Sequence, residues 1–247
     1  MKLDYLALAA HPDDVELAMG GTMALLAEMG KATGIIDLTQ GEMGTRGSVS
    51  LRKEEAAEAA KILKLRVRKN LGLPDSKLAS TREQQLPIIQ AIRTYRPNIV
   101  FINAPDDRHP DHGNAAKLQI EALFFAGLRK IESFDEQNQP QEPWRPFHIL
   151  HYMQDRAFEP SIIMDVSDYF DQRLASILAF KSQFNTEADH SEPQTYISGS
   201  DFFEQITARA RVLGHQIGAK YGEAFLYHKG PLPAKSLDFL ESIQPRR

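Results

Sequence analysis

The chain has 247 residues, 42% hydrophobic and 25% charged, with a formal net charge of −4 and no cysteine. This suits one α/β domain over 1–247 with a sizeable core and excludes a disordered chain. Acids and bases are interspersed, which argues against a nucleic-acid surface. No apolar run is long enough for a membrane span or a secretory leader, so the expectation is a cytoplasmic protein with neither partner.

In chain order, "YLALAA" (5–10) reads as a buried strand and "LAMGGTMALLAEMG" (17–30) as a helix packed through small residues. A second strand follows at 33–39. Ser50 is placed to cap a helix over 51–64, whose Leu51, Ala59, Ile62 and Leu63 fall near one face. A third strand is expected at 66–71. The helix at 84–96 contains Pro87, so its regular hydrogen bonding is expected only from about that residue. A strand at 98–103 and a helix at 113–128 come next. The polar, proline-bearing stretch 131–146 reads as a surface loop. Beyond it, 147–153 and 161–167 continue the sheet, with helices near 168–184 and 200–221. The aperiodic segment 185–200 reads as a mobile loop. Strands alternating with helices imply a Rossmann-like, doubly wound, mostly parallel sheet with helices on both faces.

The chemistry gathers in two loops. "AAHPDDVELAMGG" ends the first strand with His11, Asp13 and Asp14. "NAPDDRHPDHGNAA" ends the fourth with His109, Asp111 and His112. Strands 1 and 4 are neighbours in such sheets, and ligands bind beyond their carboxyl ends, so the two loops should meet. Together they supply two histidines and a carboxylate for a metal, with spare Asp and His beside them. In a chain without thiolates, that is the donor set of a catalytic zinc site. A lone His-Pro-Asp is ordinarily a turn, and Asp14 alone is a natural helix cap. Two such motifs, each closing a strand and opening a helix, outweigh that reading. Phosphate cradling by "AMGGT" is weaker, since the dinucleotide fingerprint is absent and two aspartates would repel a phosphate. Of the remaining histidines (His148, His151, His190, His215, His228) only His151, on a strand near the middle of the chain, merits attention. Arg52 lies in the first turn of a helix, where a cation is unfavourable, which suggests a role in binding an anion.

The pairing of "AHPDDVE" with "HPDH" resembles the PIG-L/LmbE-like zinc-dependent N-deacetylases. "DLTQGEMGTRGS", "NLGLPD", "YRPNIVF", "DRHPDHGNA" and "AFKSQF" are more similar still to that family's bacillithiol-biosynthesis branch. The resemblance implies a Rossmann-like fold, Zn2+ as cofactor, and hydrolysis of N-acetylglucosaminyl-malate to glucosaminyl-malate and acetate. It implies His11, Asp14 and His112 as metal ligands and Asp13 as general base. His109 would support the oxyanion or donate a proton, with Asp111 orienting it. Arg52 would contact the substrate's carboxylates, with Arg108 and Tyr196 as further candidate contacts. Asp107 stands where mycothiol-pathway relatives carry a tyrosine, and Met19 where many relatives have a cysteine. The resemblance also suggests a homo-oligomer, a hexamer. The alternatives are a deacetylase of another N-acetylglucosaminyl compound or small amide, and a sugar-binding module with a degenerate metal site.

Overall fold

The computed structural model describes residues 1–184, 193, 195–231 and 236. Most of the expected loop at 185–200, including His190, lies outside the described residues. Seven strands form one sheet: β1 (Tyr5–Ala9), β2 (Thr33–Thr39), β3 (Val67–Leu73), β4 (Ile99–Ile102), β5 (His148–Tyr152), β6 (Ile162–Asp165) and β7 (Gly222–Tyr227), in the order β3-β2-β1-β4-β5-β7-β6. The first five run parallel, while β7 is antiparallel to both β5 and β6.

The helices are α1 (Asp14–Glu28), α2 (Val49–Ile62), α3 (Arg82–Tyr95), α4 (Pro110–Ala126), α5 (Phe170–Leu178), α6 (Lys181–Phe184) and α7 (Ser200–Gln216). Because strand side chains alternate, β1 feeds both faces. Leu6 and Leu8 join Ile88, Ile92, Leu118 and Leu123 of α3 and α4. Ala7 and Ala9 join Val15, Met19 and Met23 of α1. Residues buried on both sides explain why β1 reads as an unbroken apolar run rather than an alternating one.

Several boundaries differ from the sequence expectations. Helix α1 starts at Asp14 rather than 17, and its backbone leaves helical geometry at Met19 (φ −149°). The carboxylate of Glu223, entering from β7, accepts from the Gly21 and Thr22 N–H groups at 2.9 and 2.6 Å. Arg173 donates to the Leu17 carbonyl. The break in α1 is thereby repaired by side chains rather than left unsatisfied. Helix α2 is capped by Ser48, whose Oγ accepts from Leu51 N–H at 3.2 Å, so Ser50 sits in the first turn and is not the cap. Helix α3 is capped by Thr81 and already bonded at Gln85, so Pro87 falls inside a running helix. Helix α4 takes Pro110 into its first turn, where proline's fixed φ suits the start of a helix.

Strand β1 pairs with β2 on one side and β4 on the other. Chain order reverses at β1, and the crevice that opens beyond the carboxyl ends of β1 and β4 receives both histidine-aspartate loops.

Candidate metal centre and active site

Three imidazoles meet in that crevice. The ring centroids of His11 and His109 are 4.8 Å apart, those of His109 and His112 5.2 Å, and those of His11 and His112 5.6 Å. One ring nitrogen from each lies within 4.8 Å of the others. Asp14 reaches the same point. Its Oδ1 is 3.0 Å from His112 Nε2, and its Oδ2 is 3.9 Å from His11 Nδ1. The expected ligand residues His11, Asp14 and His112 are thus brought together, with His109 beside them.

Each of these groups is fixed from behind. Asp14 accepts from the His11 N–H at 3.0 Å and from Asn103 Nδ2 and Gln154 Nε2, both at 3.2 Å. Asp107 Oδ2 lies 2.5 Å from His112 Nδ1, which leaves His112 Nε2 turned to Asp14. Asp75 Oδ1 lies 3.1 Å from His11 Nε2, while its Oδ2 accepts from Met43 N–H. Carboxylates behind imidazoles hold the ring orientation and raise nitrogen basicity, an arrangement common around metal-binding histidines.

The charge balance also favours a cation. Burial alone would push the His11 and His112 pKa values down. Asp111 and Asp75 outweigh this at His11, and Asp14 and Asp107 at His112, so both end raised. Burial opposes ionisation of Asp14 as well, but His112 and His11 hold it well below the usual carboxylate range. A cluster that retains protons on buried imidazoles has a surplus of negative charge that a divalent ion would satisfy. Two imidazoles and a carboxylate suit Zn2+ better than the all-oxygen ions Mg2+ and Ca2+. The donor set fits the implied metal.

Asp13 stands apart from its neighbour. Its backbone lies at φ 112°, a region that L residues rarely occupy, and its side chain lines the same cavity as the histidines and accepts from Arg52. Burial raises its pKa, Arg52 offsets part of that, and Asp14 adds to it. Arg52 is buried, with Nη2 donating to Asp13 Oδ2 at 2.9 Å and to the Pro12 carbonyl at 2.5 Å. The anion Arg52 meets in the structure is Asp13, through Nη2, while its Nε has no hydrogen-bond partner among the described residues and the side chain lines the same cavity as the histidines. Gly41 (φ +66°) makes room for it, since a Cβ there would come within 2.1 Å of Arg52 Nη1.

Asp111 also behaves differently from expectation. Its N–H, not its carboxylate, addresses His109, donating to Nδ1 at 3.2 Å. The carboxylate instead accepts from Ser76 N–H at 2.7 Å and lies 3.5 Å from His11 Nε2. With Nδ1 acting as acceptor, the proton of neutral His109 belongs on Nε2. Burial, with His11 and His112 nearby, lowers the His109 pKa and favours that neutral form.

These groups line a cavity of about 210 Å³. Leu17, Ile197, Phe202 and Ile206 supply an apolar wall, and Arg108, Tyr196, Gln205 and Arg209 stand among the lining residues. His151 is not among them. It is buried behind the site, with Nδ1 2.7 Å from the Asn103 carbonyl and Nε2 3.1 Å from His228. Asp75 and Gln154 lie outside the two motifs from which the site was expected, and Asn103, the first residue of the second, is not singled out there. Asp75 does carry a signal: "LPDS" closes β3 with the same Pro-Asp turn that closes β1 and β4. Gln154 follows β5 without any motif.

Residues 6–123 match the family model described as PIG-L, GlcNAc-PI de-N-acetylase. The chain is 34% identical over 194 residues to diacetylchitobiose deacetylase of Thermococcus kodakarensis, which covers 72% of this chain and 69% of that protein. It belongs to the PIG-L deacetylase family. A conserved protein of Thermus thermophilus has the same fold, with a TM-score of 0.82, 39% identity, and coverage of 94% of this chain and 98% of that one. A probable N-acetyl-alpha-D-glucosaminyl L-malate deacetylase 2 of Bacillus cereus is 25% identical over 219 residues, covering 81% of this chain and 92% of that protein. This PIG-L deacetylase is therefore an enzyme rather than a sugar-binding module with a degenerate site. Membership of the bacillithiol branch does not follow from these likenesses. No helix among the described residues is long and apolar enough to cross a membrane.

Proposed function

We propose that this PIG-L deacetylase removes the acetyl group from an N-acetylglucosaminyl substrate, with N-acetylglucosaminyl-malate as the first candidate. The observation that supports hydrolysis most strongly is the division of labour between two adjacent aspartates: Asp14 among the histidines, Asp13 beside them and bound to Arg52. A second buried carboxylate beside the ligands, its pKa raised by burial, is what a general base requires and metal binding alone does not.

His11, Asp14 and His112 would hold Zn2+. When bound, the ion supplies a Lewis acid for the acetamide carbonyl and acidifies a water molecule. Asp13 Oδ takes the proton from the attacking water, and its raised pKa makes it a competent base near neutrality. Arg52 limits that rise and fixes the carboxylate's direction. His109 presents Nε2–H to the carbonyl oxygen as negative charge develops there. The proton on Asp13 then passes to the departing amine, leaving acetate and the free amino sugar. The apolar wall suits the non-polar face of a sugar ring.

The second reading is a chitobiose-type substrate, favoured by the 34% identity to diacetylchitobiose deacetylase. Acetate release from N-acetylglucosaminyl-malate, diacetylchitobiose and N-acetylglucosamine by zinc-loaded enzyme decides between the two. A kcat/KM at least ten times higher for the malate conjugate supports the first reading. The reverse order supports the second, and acetate from none of them overturns both.

A further inference from the structure

The mouth of the pocket carries a charge arrangement that the hydrolytic step does not use. Asp155, just beyond β5, places Oδ2 3.2 Å from Arg108 Nε and Oδ1 3.6 Å from Arg209 Nη2. The same carboxylate accepts from the Tyr196 hydroxyl at 2.9 Å. Arg108 stacks on the Tyr196 ring with its guanidinium carbon 4.0 Å from the centroid. Arg209 is anchored by the Gln154 and Asp155 carbonyls. The nearby Asp106 is engaged by Arg156 at 2.8 Å and leaves the other two arginines to Asp155. Asp155, Arg108, Arg209 and Tyr196 all line the cavity that holds the histidine cluster.

Two arginines from different elements, α7 and the loop after β4, converge on one carboxylate at the entrance. This is the geometry with which proteins receive a carboxylate ligand. We propose that Asp155 is a specificity-determining residue: it occupies, from within the protein, the place where Arg108 and Arg209 would receive an anionic aglycone. The mouth then carries a net single positive charge instead of two, so neutral and anionic aglycones are both admitted. The inference rests on the deacetylase reading for its substrate but not on catalysis for its test.

The test uses the zinc-loaded enzyme and two non-reacting ligands of one carbon skeleton but different charge, glucosaminyl-malate and its dimethyl ester, with affinities measured by calorimetry. Asp155→Asn keeps an acceptor for Tyr196 while removing the charge. It should tighten the diacid about 3–10-fold and leave the ester unchanged, a size set by the partial exposure of the three charges. Arg108→Ala should weaken the diacid by a similar factor and spare the ester. These opposite shifts would shrink at high salt. Equal changes for diacid and ester in Asp155→Asn, or no change for the diacid, would overturn the proposal and leave Asp155 as a latch for Tyr196. Binding is read without turnover, so loss of the deacetylase reading would appear separately, as absent acetate release.

Discussion

Asp13 and Asp14 are chemically identical neighbours with opposite environments. Asp14 faces two imidazoles and two amide donors, whereas Asp13 faces one guanidinium. Asp13→Asn should keep the metal and lower kcat by about 10²–10⁴-fold, the usual cost of losing a general base. Metal analysis alongside steady-state kinetics checks both halves. Asp75 acts on His11 through the ring's far nitrogen. Asp75→Ala should weaken zinc affinity by about 10–100-fold, measured by chelator competition, with the cobalt-substituted spectrum altered as His11 reorients. An unchanged affinity with a lower melting temperature would make Asp75 a loop anchor only. Arg52→Lys should slow neutral and anionic substrates by the same factor, because the charged contact that Arg52 makes in the structure is to Asp13. A loss confined to the malate conjugate would return Arg52 to the substrate. The identities of the cluster residues are legible in two short motifs, since His-Pro-Asp after a strand leaves few alternatives. The directions of the Arg52 and Asp111 side chains are not, because each depends on partners distant in sequence: Pro12 and Asp13 for one, Ser76 for the other.

The elements that carry these residues are held by buried charges as well as by apolar packing. Arg68 on β3 donates to both oxygens of Asp37 on β2, at 2.9 and 3.1 Å, and to Glu16 in the first turn of α1. All three side chains are nearly inaccessible to solvent. Removing the shared cation strands two buried carboxylates. Arg68→Ala should therefore cost about 3–5 kcal/mol, read from denaturant unfolding. A loss below about 1 kcal/mol would mean that the carboxylates take up protons and tolerate its absence. The central strands β1 and β4 are legible because residues buried on both faces leave short, continuous apolar runs. The helix starts are less so. The apolar pattern places Asp14 ahead of its helix, whereas it lies inside, and the break at Met19 depends on Glu223, more than two hundred residues away. Local propensity carries no information about such a repair.

Across the whole molecule, topology makes the site. Loops closing β1, β3, β4 and β5 meet because β1 lies between β2 and β4, where the order of crossovers reverses. That arrangement follows from strands alternating with helices, so the meeting of the two histidine loops can be expected from sequence. The pocket mouth can be expected only in part: Arg108 and Tyr196 are named as candidate contacts from the resemblance, whereas Asp155 and Arg209 share no motif and come from a loop and from α7. The central claim is that hydrolysis of the acetamide depends on a metal held by His11, Asp14 and His112. The measurement that tests it most directly is metal content and acetate release on the same samples of wild type, Asp13→Asn and His112→Ala, before and after chelation and zinc return. The account predicts one zinc per chain in wild type and Asp13→Asn, none in His112→Ala, and acetate only from zinc-loaded wild type. Undiminished acetate release by metal-free wild type, or full zinc with normal turnover in His112→Ala, would contradict it.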